Sequence, residues 1–285
     1  AALVAFVGML PLAGPLLAKD LFLNTDKIEP DLSSIKNEKI YRAYCGLDEY
    51  DPLAEAKITR IVTNRPALDK IVNGELATEK DVVADLADQI NEFTADMDEE
   101  KAKAARAETT AKGASAGRSG DCNMSVLWTA GYFGHYKNLE MFTVDFYSYE
   151  GGVHGIFGKS YLVIDDRDRQ LKLEDILVPG QRDELGRLLG QRFLQFNKVD
   201  SLKEYQERDL CCLALKNEEQ QGVLVDLNTL MRQQLLENEN FFFNTDGLAF
   251  SYPPYFIAPY SEGNVVLTVP YDELVGVLKD EYLPH

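Results

Sequence analysis

The sequence predicts an α+β fold: an antiparallel sheet packed against several helices, with an N-terminal strand-helix extension. Three observations carry this. Val83, Leu86, Ile90, Phe93 and Met97 recur every three or four positions, the stripe of a helix with one buried face. Between 124 and 164, and again between 241 and 269, aromatic and β-branched residues crowd into short runs cut by turn residues, the pattern of strands. Between those regions the helical rhythm returns at Leu185, Leu188, Leu189 and Phe193.

Taken in order, residues 1–18 (AALVAFVGMLPLAGPLLA) are apolar and precede Lys19. The run is short for a membrane span, and Pro11, Gly14 and Pro15 break it. It resembles the apolar region of a secretory signal ending in small residues near Ala18, with a buried N-terminal segment as the competing reading. Residues 19–112 form a strand and helix region. Ile58–Val62 reads as a strand, and NEKIYRAYC (37–45) carries β-branched and aromatic residues in partial alternation. Thr78 opens a helix, because Asp81 stands three residues on, where an acid caps in return. From Ala95 to Lys112 the chain turns to Ala, Glu and Lys, an extension of that helix into solvent. Residues 113–121 (GASAGRSGD) are a flexible connector, and 122–285 follow as the main region.

There, MSVLWTAGYFGHY and LEMFTVDFYSY read as two strands joined near Lys137-Asn138. The second carries bulk on both faces, so both are expected to be partly buried. KSYLVID and LKLEDIL are expected to form a hairpin around DRDRQ. Arg182–Phe196 is an amphipathic helix, Ser201 caps a short one, and Gln221–Glu237 is a third. NFFFNTDGLAFSY is a hairpin across Asp246-Gly247, and NVVLTV is a last strand. Pro270 starts a helix with Leu274, Val277 and Leu278 on one face. A single body is expected, with the 83–97 stripe covering the remaining apolar surface.

Charge narrows the function. Lys and Arg number 29 against 47 Asp and Glu, a net charge of −18 at pH 7. That argues against nucleic acid, whose binders carry basic footprints, and against anionic lipid surfaces. It favours a basic partner, or serves solubility alone. The cysteines are Cys45, Cys122, Cys211 and Cys212, without a C-x-x-C pair, and allow three full pairings. In an exported protein, Cys45 with Cys122 is feasible if their Cα atoms lie within about 7 Å. Cys211 and Cys212 are expected to bond elsewhere or stay free, because a trans peptide holds their side chains apart.

The histidines, His135, His154 and His285, make no i, i+4 pair for zinc. There is no nucleophile elbow, phosphate-binding loop or dinucleotide fingerprint. IDDRDRQ lacks the glycine and distal glutamate of a calcium loop and reads as a solvated turn. His154 sits in GGVHG, where the glycines permit positive φ and the ring can hydrogen-bond nearby backbone. No catalytic residues, metal or cofactor are expected, and the chain is read as non-enzymatic.

Three motifs, YSYEGGVHG, LKLEDIL and NFFFNTDGLAFSYPPYFIAPYSEGNVVLTVPYDEL, resemble in order and spacing the RsiV-like envelope domain. That domain forms the extracellular part of the lysozyme-sensing anti-sigma factor RsiV and the N-terminal region of some peptidoglycan deacetylases. The resemblance spans roughly 123–280, and 20–110 fit the family loosely. It implies an α+β fold, a periplasmic or cell-envelope location, and binding or sensing rather than catalysis. Neither deacetylation nor regulated transcription is carried over, and segment 197–222 is longer than the family needs.

The expected partner is a basic protein, such as a lysozyme-type muramidase, or cell-wall glycan. Contact with a membrane is expected only through the N-terminal segment. The candidate partner-binding residues are Gly151, Gly152 and His154 in the Gly-rich turn, and Tyr255, Pro259 and Tyr260 in the loop 253–263. Prolines stiffen that loop, and rigid aromatics with polar tips often anchor interfaces. The competing structural reading is that the loop only closes its hairpin. Two rivals remain: an envelope hydrolase in which His154 acts with Asp145 or Glu150, and a peptidoglycan-binding accessory domain.

Overall fold

The computed structural model describes residues 21–111, 122–151, 154–213, 219–220, 223–224 and 226–284. The signal-like segment 1–18 and the connector 113–121 therefore lie outside the described residues. In chain order the elements are β1 (Leu23–Ile28), α1 (Glu38–Cys45), β2 (Glu55–Thr63), α2 (Pro66–Gly74), α3 (Glu79–Phe93) and α4 (Glu99–Ala111). Then come β3 (Ser125–Tyr136), β4 (Leu139–Tyr149), β5 (Ile156–Ile164), α5 (Leu173–Ile176), α6 (Arg182–Phe196) and α7 (Leu202–Glu207). The chain ends with β6 (Glu219–Gln220), β7 (Val223–Leu224), α8 (Leu227–Glu237), β8 (Phe241–Phe243), β9 (Gly247–Tyr252) and β10 (Val265–Pro270).

The fold is α+β, as the sequence predicts, but two main sheets stand where one was expected. One has the order β1-β2-β3-β4-β5, the other β10-β9-β8, and β6 and β7 form a small pair. The larger sheet is mixed, because β2 pairs with β3 in parallel, Glu55 opposite Ser125. A parallel pair needs a long crossover, and α2, α3 and α4 lie between its two strands in sequence. The chain also divides into two compact units rather than one body: Asp20–Gly131 with Val144–Phe157, and Tyr132–Thr143 with Gly158–His285. Strands β3, β4 and β5 each contribute residues to both.

In the first unit, α3 starts as its sequence dictates. Thr78 Oγ1 accepts from the Asp81 N–H at 3.2 Å, and the Asp81 carboxylate accepts from the Thr78 N–H at 3.0 Å. Val82, Leu86 and Ile90 are buried, so the helix does not stand free, and Val82 rather than Val83 begins the stripe. Thr78→Ala is expected to cost about 1 kcal/mol by loss of this cap, read as a lower urea midpoint.

Segment 37–45, expected to have strand character, instead forms α1. Tyr41 and Cys45 are buried four residues apart on one helical face. Glu38 pairs with Arg42 at 2.6 Å, and Gly46 ends the helix at φ +67°, a left-handed cap suited to glycine. Cys45 bonds Cys122, with Cα atoms 5.5 Å apart. On β2, the Ile61 backbone is held at both ends by Asn73 of α2. The Ile61 N–H donates to Asn73 Oδ1 at 3.0 Å, and Asn73 Nδ2 donates to the Ile61 carbonyl at 2.8 Å.

In the second unit, β8–β10 lay Phe241, Phe243, Leu248, Phe250 and Tyr252 into one core with Leu185, Leu189 and Phe193 of α6 and Met231 and Leu235 of α8. At the β8–β9 turn, Asn244 Oδ1 accepts from the Asp246 and Gly247 N–H groups at 2.9 and 2.8 Å. A methyl group at Gly247 would collide with the Val269 carbonyl of β10. Backbone cannot yield as a side chain does, so Gly247→Ala is expected to cost about 3 kcal/mol, read in a thermal melt.

Several expected boundaries shift. LKLEDIL is not a strand: the return to β5 ends with the Gln170–Ile164 bridge and the Leu171 N–H donating to the Val163 carbonyl at 2.8 Å, and 173–176 form α5 with Leu173 and Ile176 buried. The DRDRQ turn is closed by Asp165, whose carboxylate accepts from the N–H groups of Arg167 and Arg169 at 3.0 and 2.9 Å. Helix α6 has its expected ends, and Ser201 caps α7 through the Glu204 N–H. Helix α8 begins later than expected, because Asp226 caps it by accepting from the N–H groups of Asn228 and Thr229. After Pro270 no α-helix forms. Val275 is extended and Gly276 has φ +79°, leaving short 3-10 turns at Tyr271–Leu274 and Asp280–Tyr282, although Leu274, Val277 and Leu278 are all buried. Cys211 is paired with Cys212, where each was expected to bond elsewhere or stay free. Among the described residues no helix is long and apolar enough to cross a membrane.

Candidate functional site

The loop between β9 and β10 is built from the inside outward. At its base the Tyr252 ring is fully buried, stacks on Phe256 with centroids 5.6 Å apart, and donates its hydroxyl to the Leu235 carbonyl at 3.0 Å. Burial pushes the Tyr252 phenol well above the ordinary tyrosine value, so it stays a donor. Ile257 and Ala258 are also buried. Two backbone bonds interlock around them: Phe256 N–H to the Pro253 carbonyl at 3.1 Å, and Tyr255 N–H to the Ala258 carbonyl at 3.0 Å. A 3-10 turn at Tyr260–Glu262 finishes the loop.

On this base Tyr255 is 56% exposed, Pro259 is exposed and Tyr260 half-buried. The rings of Tyr255 and Tyr260 lie 5.7 Å apart. Tyr255 has φ +66°, a region that bulky residues rarely enter. The arrangement is a stiff, aromatic, partly apolar surface with hydroxyl tips, which suits contact with another molecule.

The Gly-rich turn has a different character. Gly151 has φ +93°, so the backbone itself calls for glycine there. Gly155 is buried, and a side chain on it would meet the Ser148 carbonyl and the Tyr147 ring at 2.7 Å. His154 is exposed, with Nδ1 3.2 Å from the Gly155 carbonyl oxygen. Glu150 accepts from Gln89 Nε2 at 3.3 Å. Gly152 lies outside the described residues. Gly151 and His154 belong to the first unit, and Tyr255, Pro259 and Tyr260 to the second, so the candidates fall in two sets. Among the described residues no three His, Cys, Asp or Glu side chains gather as a metal site.

Nothing in the sequence around Arg182 or Arg232 marks either as functional. Both line a cavity of about 530 Å³ beside α6 and α8. The legible signal was Gly186 in the middle of α6, since a glycine inside a helix often marks a close approach.

Residues 174–272 match a family model described as "Protein of unknown function (DUF3298)". The matched stretch runs from α5 to the turn after β10 and includes the Tyr255–Tyr260 loop. A DUF3298 family protein from Pseudomonas aeruginosa PAO1 has a similar crystal structure, with TM-score 0.55 and 20% identity, over 94% of this chain and 99% of that one. A member of the same family from Bacteroides fragilis NCTC 9343 has TM-score 0.53 and 20% identity, over 92% of this chain and 95% of that one. At this identity the likeness is one of fold. No curated protein matches the chain by sequence.

Proposed function

We propose that this chain is an exported, non-enzymatic binding or sensing protein of the cell envelope, RsiV-like, whose partner is a basic protein such as a lysozyme-type muramidase. The observation that carries the proposal is the loop: Tyr255 and Pro259 are exposed on a base of buried Tyr252, Ile257 and Ala258. A preformed aromatic surface loses little conformational entropy on binding. The net charge of −18 draws a basic partner towards the chain. The Cys45–Cys122 bridge fits an oxidising compartment such as the periplasm.

The test is titration calorimetry of the purified chain with a basic muramidase at several salt concentrations. Affinity is expected to fall as salt rises, and Tyr260→Ala is expected to weaken binding by about 2 kcal/mol, as interface anchors do, with its melting temperature nearly unchanged. Tight, salt-independent binding to neutral wall glycan would favour the peptidoglycan-binding reading. A large melting loss with unchanged affinity would end the role of the loop as an anchor.

A further inference from the structure

We propose that the cavity beside α6 and α8 binds the terminal carboxylate of a small peptide-like zwitterion, with Arg232 as the carboxylate-binding residue. This does not rest on the role of the Tyr255–Tyr260 loop. The volume, about 530 Å³, falls in the range of small-molecule sites.

The helices meet at Gly186. A Cβ there would stand 3.0 Å from Leu236 Cδ1 and 3.1 Å from Arg232 Cβ. The absence of a side chain lets the stem of Arg232 lie against the backbone of α6. A pinned stem presents the planar guanidinium with little freedom left to lose.

Arg232 differs from the other arginines nearby in what it holds. Arg187 has Glu184 on two bonds, at 2.8 and 2.6 Å. Arg182 has Glu239 at 3.0 Å and also Glu174. Glu184 is held ionised chiefly by its hydrogen bonds to Arg187, and the charge of Arg232 adds only the smallest share. The Nε of Arg232 is buried and meets no acceptor among the described residues. A buried donor without an acceptor is unfavourable, and the N–H groups of an arginine pair well with a carboxylate or a phosphate.

The cavity also decides what else the ligand carries. Asp183 and Glu237 line it, as do Thr229 and Gln233. Two acids suit an ammonium group. A dianion such as phosphate would meet both these acids and a chain of net charge −18, whereas a zwitterion brings no net charge to be repelled. A free amino acid or short peptide satisfies both ends.

The experiment is calorimetry of the full chain with Ala-Ala, its C-terminal amide, its N-acetyl form and inorganic phosphate, each up to about 10 mM, a range that detects millimolar affinity. Ala-Ala is expected to bind, and the amide at least tenfold more weakly. Arg232→Gln is expected to lose at least tenfold in Ala-Ala affinity. Its melting temperature without ligand should be unchanged or raised, because an unmatched donor is gone. The amide comparison is made on the unmutated chain and does not depend on how that variant folds. Equal binding of acid and amide, phosphate binding as tight as Ala-Ala, or no binding at all would overturn the proposal.

Discussion

Removing the Cys45–Cys122 bridge is expected to lower stability by about 4–5 kcal/mol. The two residues stand 77 apart in sequence, and releasing a loop of that length returns chain entropy to the unfolded state on this scale. The half-cystines are buried, so the Cys45→Ala/Cys122→Ala pair is the appropriate variant: serines would bury hydroxyls beside apolar neighbours. Urea unfolding should show a lower midpoint and a steeper slope, since the unfolded chain becomes less compact. Reductant should move the parent chain the same way and leave the double variant in place. An unchanged midpoint in the double variant would mean that the bridge constrains little.

The second large effect separates the base of the loop from its surface. Tyr252→Ala is expected to cost about 3–5 kcal/mol, the range for deleting a fully buried aromatic ring. Tyr252→Phe should cost about 1–2 kcal/mol, because only the hydroxyl bond to the Leu235 carbonyl is lost. Tyr255→Ala should stay within about 0.5 kcal/mol of the parent, as exposed sites do. Tyr255→Gly should raise stability by about 1 kcal/mol, since glycine enters the left-handed region freely. Thermal melts of the four variants check the series. A Tyr255→Ala loss as large as that of Tyr252→Ala would show that the outer ring belongs to the packing.

What the sequence disclosed follows a physical division. Signals that act within one helical turn were legible. The Thr78–Asp81 cap, the ends of α6 and the Asp246-Gly247 turn need only nearby residues. Where two local signals compete, the sequence alone does not show which prevails. Tyr41 and Cys45 are four apart, but Ile40 and Tyr44 also suggested a strand, and the buried helical pair prevailed. LKLEDIL offered alternating leucines, while its Leu173 and Ile176 suit one turn of helix as well. The parallel pairing of β2 with β3 was invisible, because nothing in either strand names a partner across the intervening helices. The same holds for the candidate sites. The Tyr255–Tyr260 loop could be singled out because its aromatics and prolines adjoin. Arg232 could not, since a lone arginine on a helix says nothing about whether an acceptor meets it.

The bridge has a further consequence, in the order of assembly. Residues 227–270 hold α8 and the β8-β9-β10 meander, whose pairings join neighbours in sequence. Such contacts close quickly. The β2–β3 pairing instead joins residues about seventy positions apart, and the Glu55 N–H donates to the Met124 carbonyl at 2.9 Å, two residues from Cys122. Strand pairing and thiol oxidation thus bring together the same two stretches of chain. Each raises the effective concentration of the partners for the other. Oxidation of Cys45 with Cys122 should therefore be slow in the unfolded chain and fast once β2 and β3 have met. A chain refolding with reduced thiols should acquire its parallel pair last.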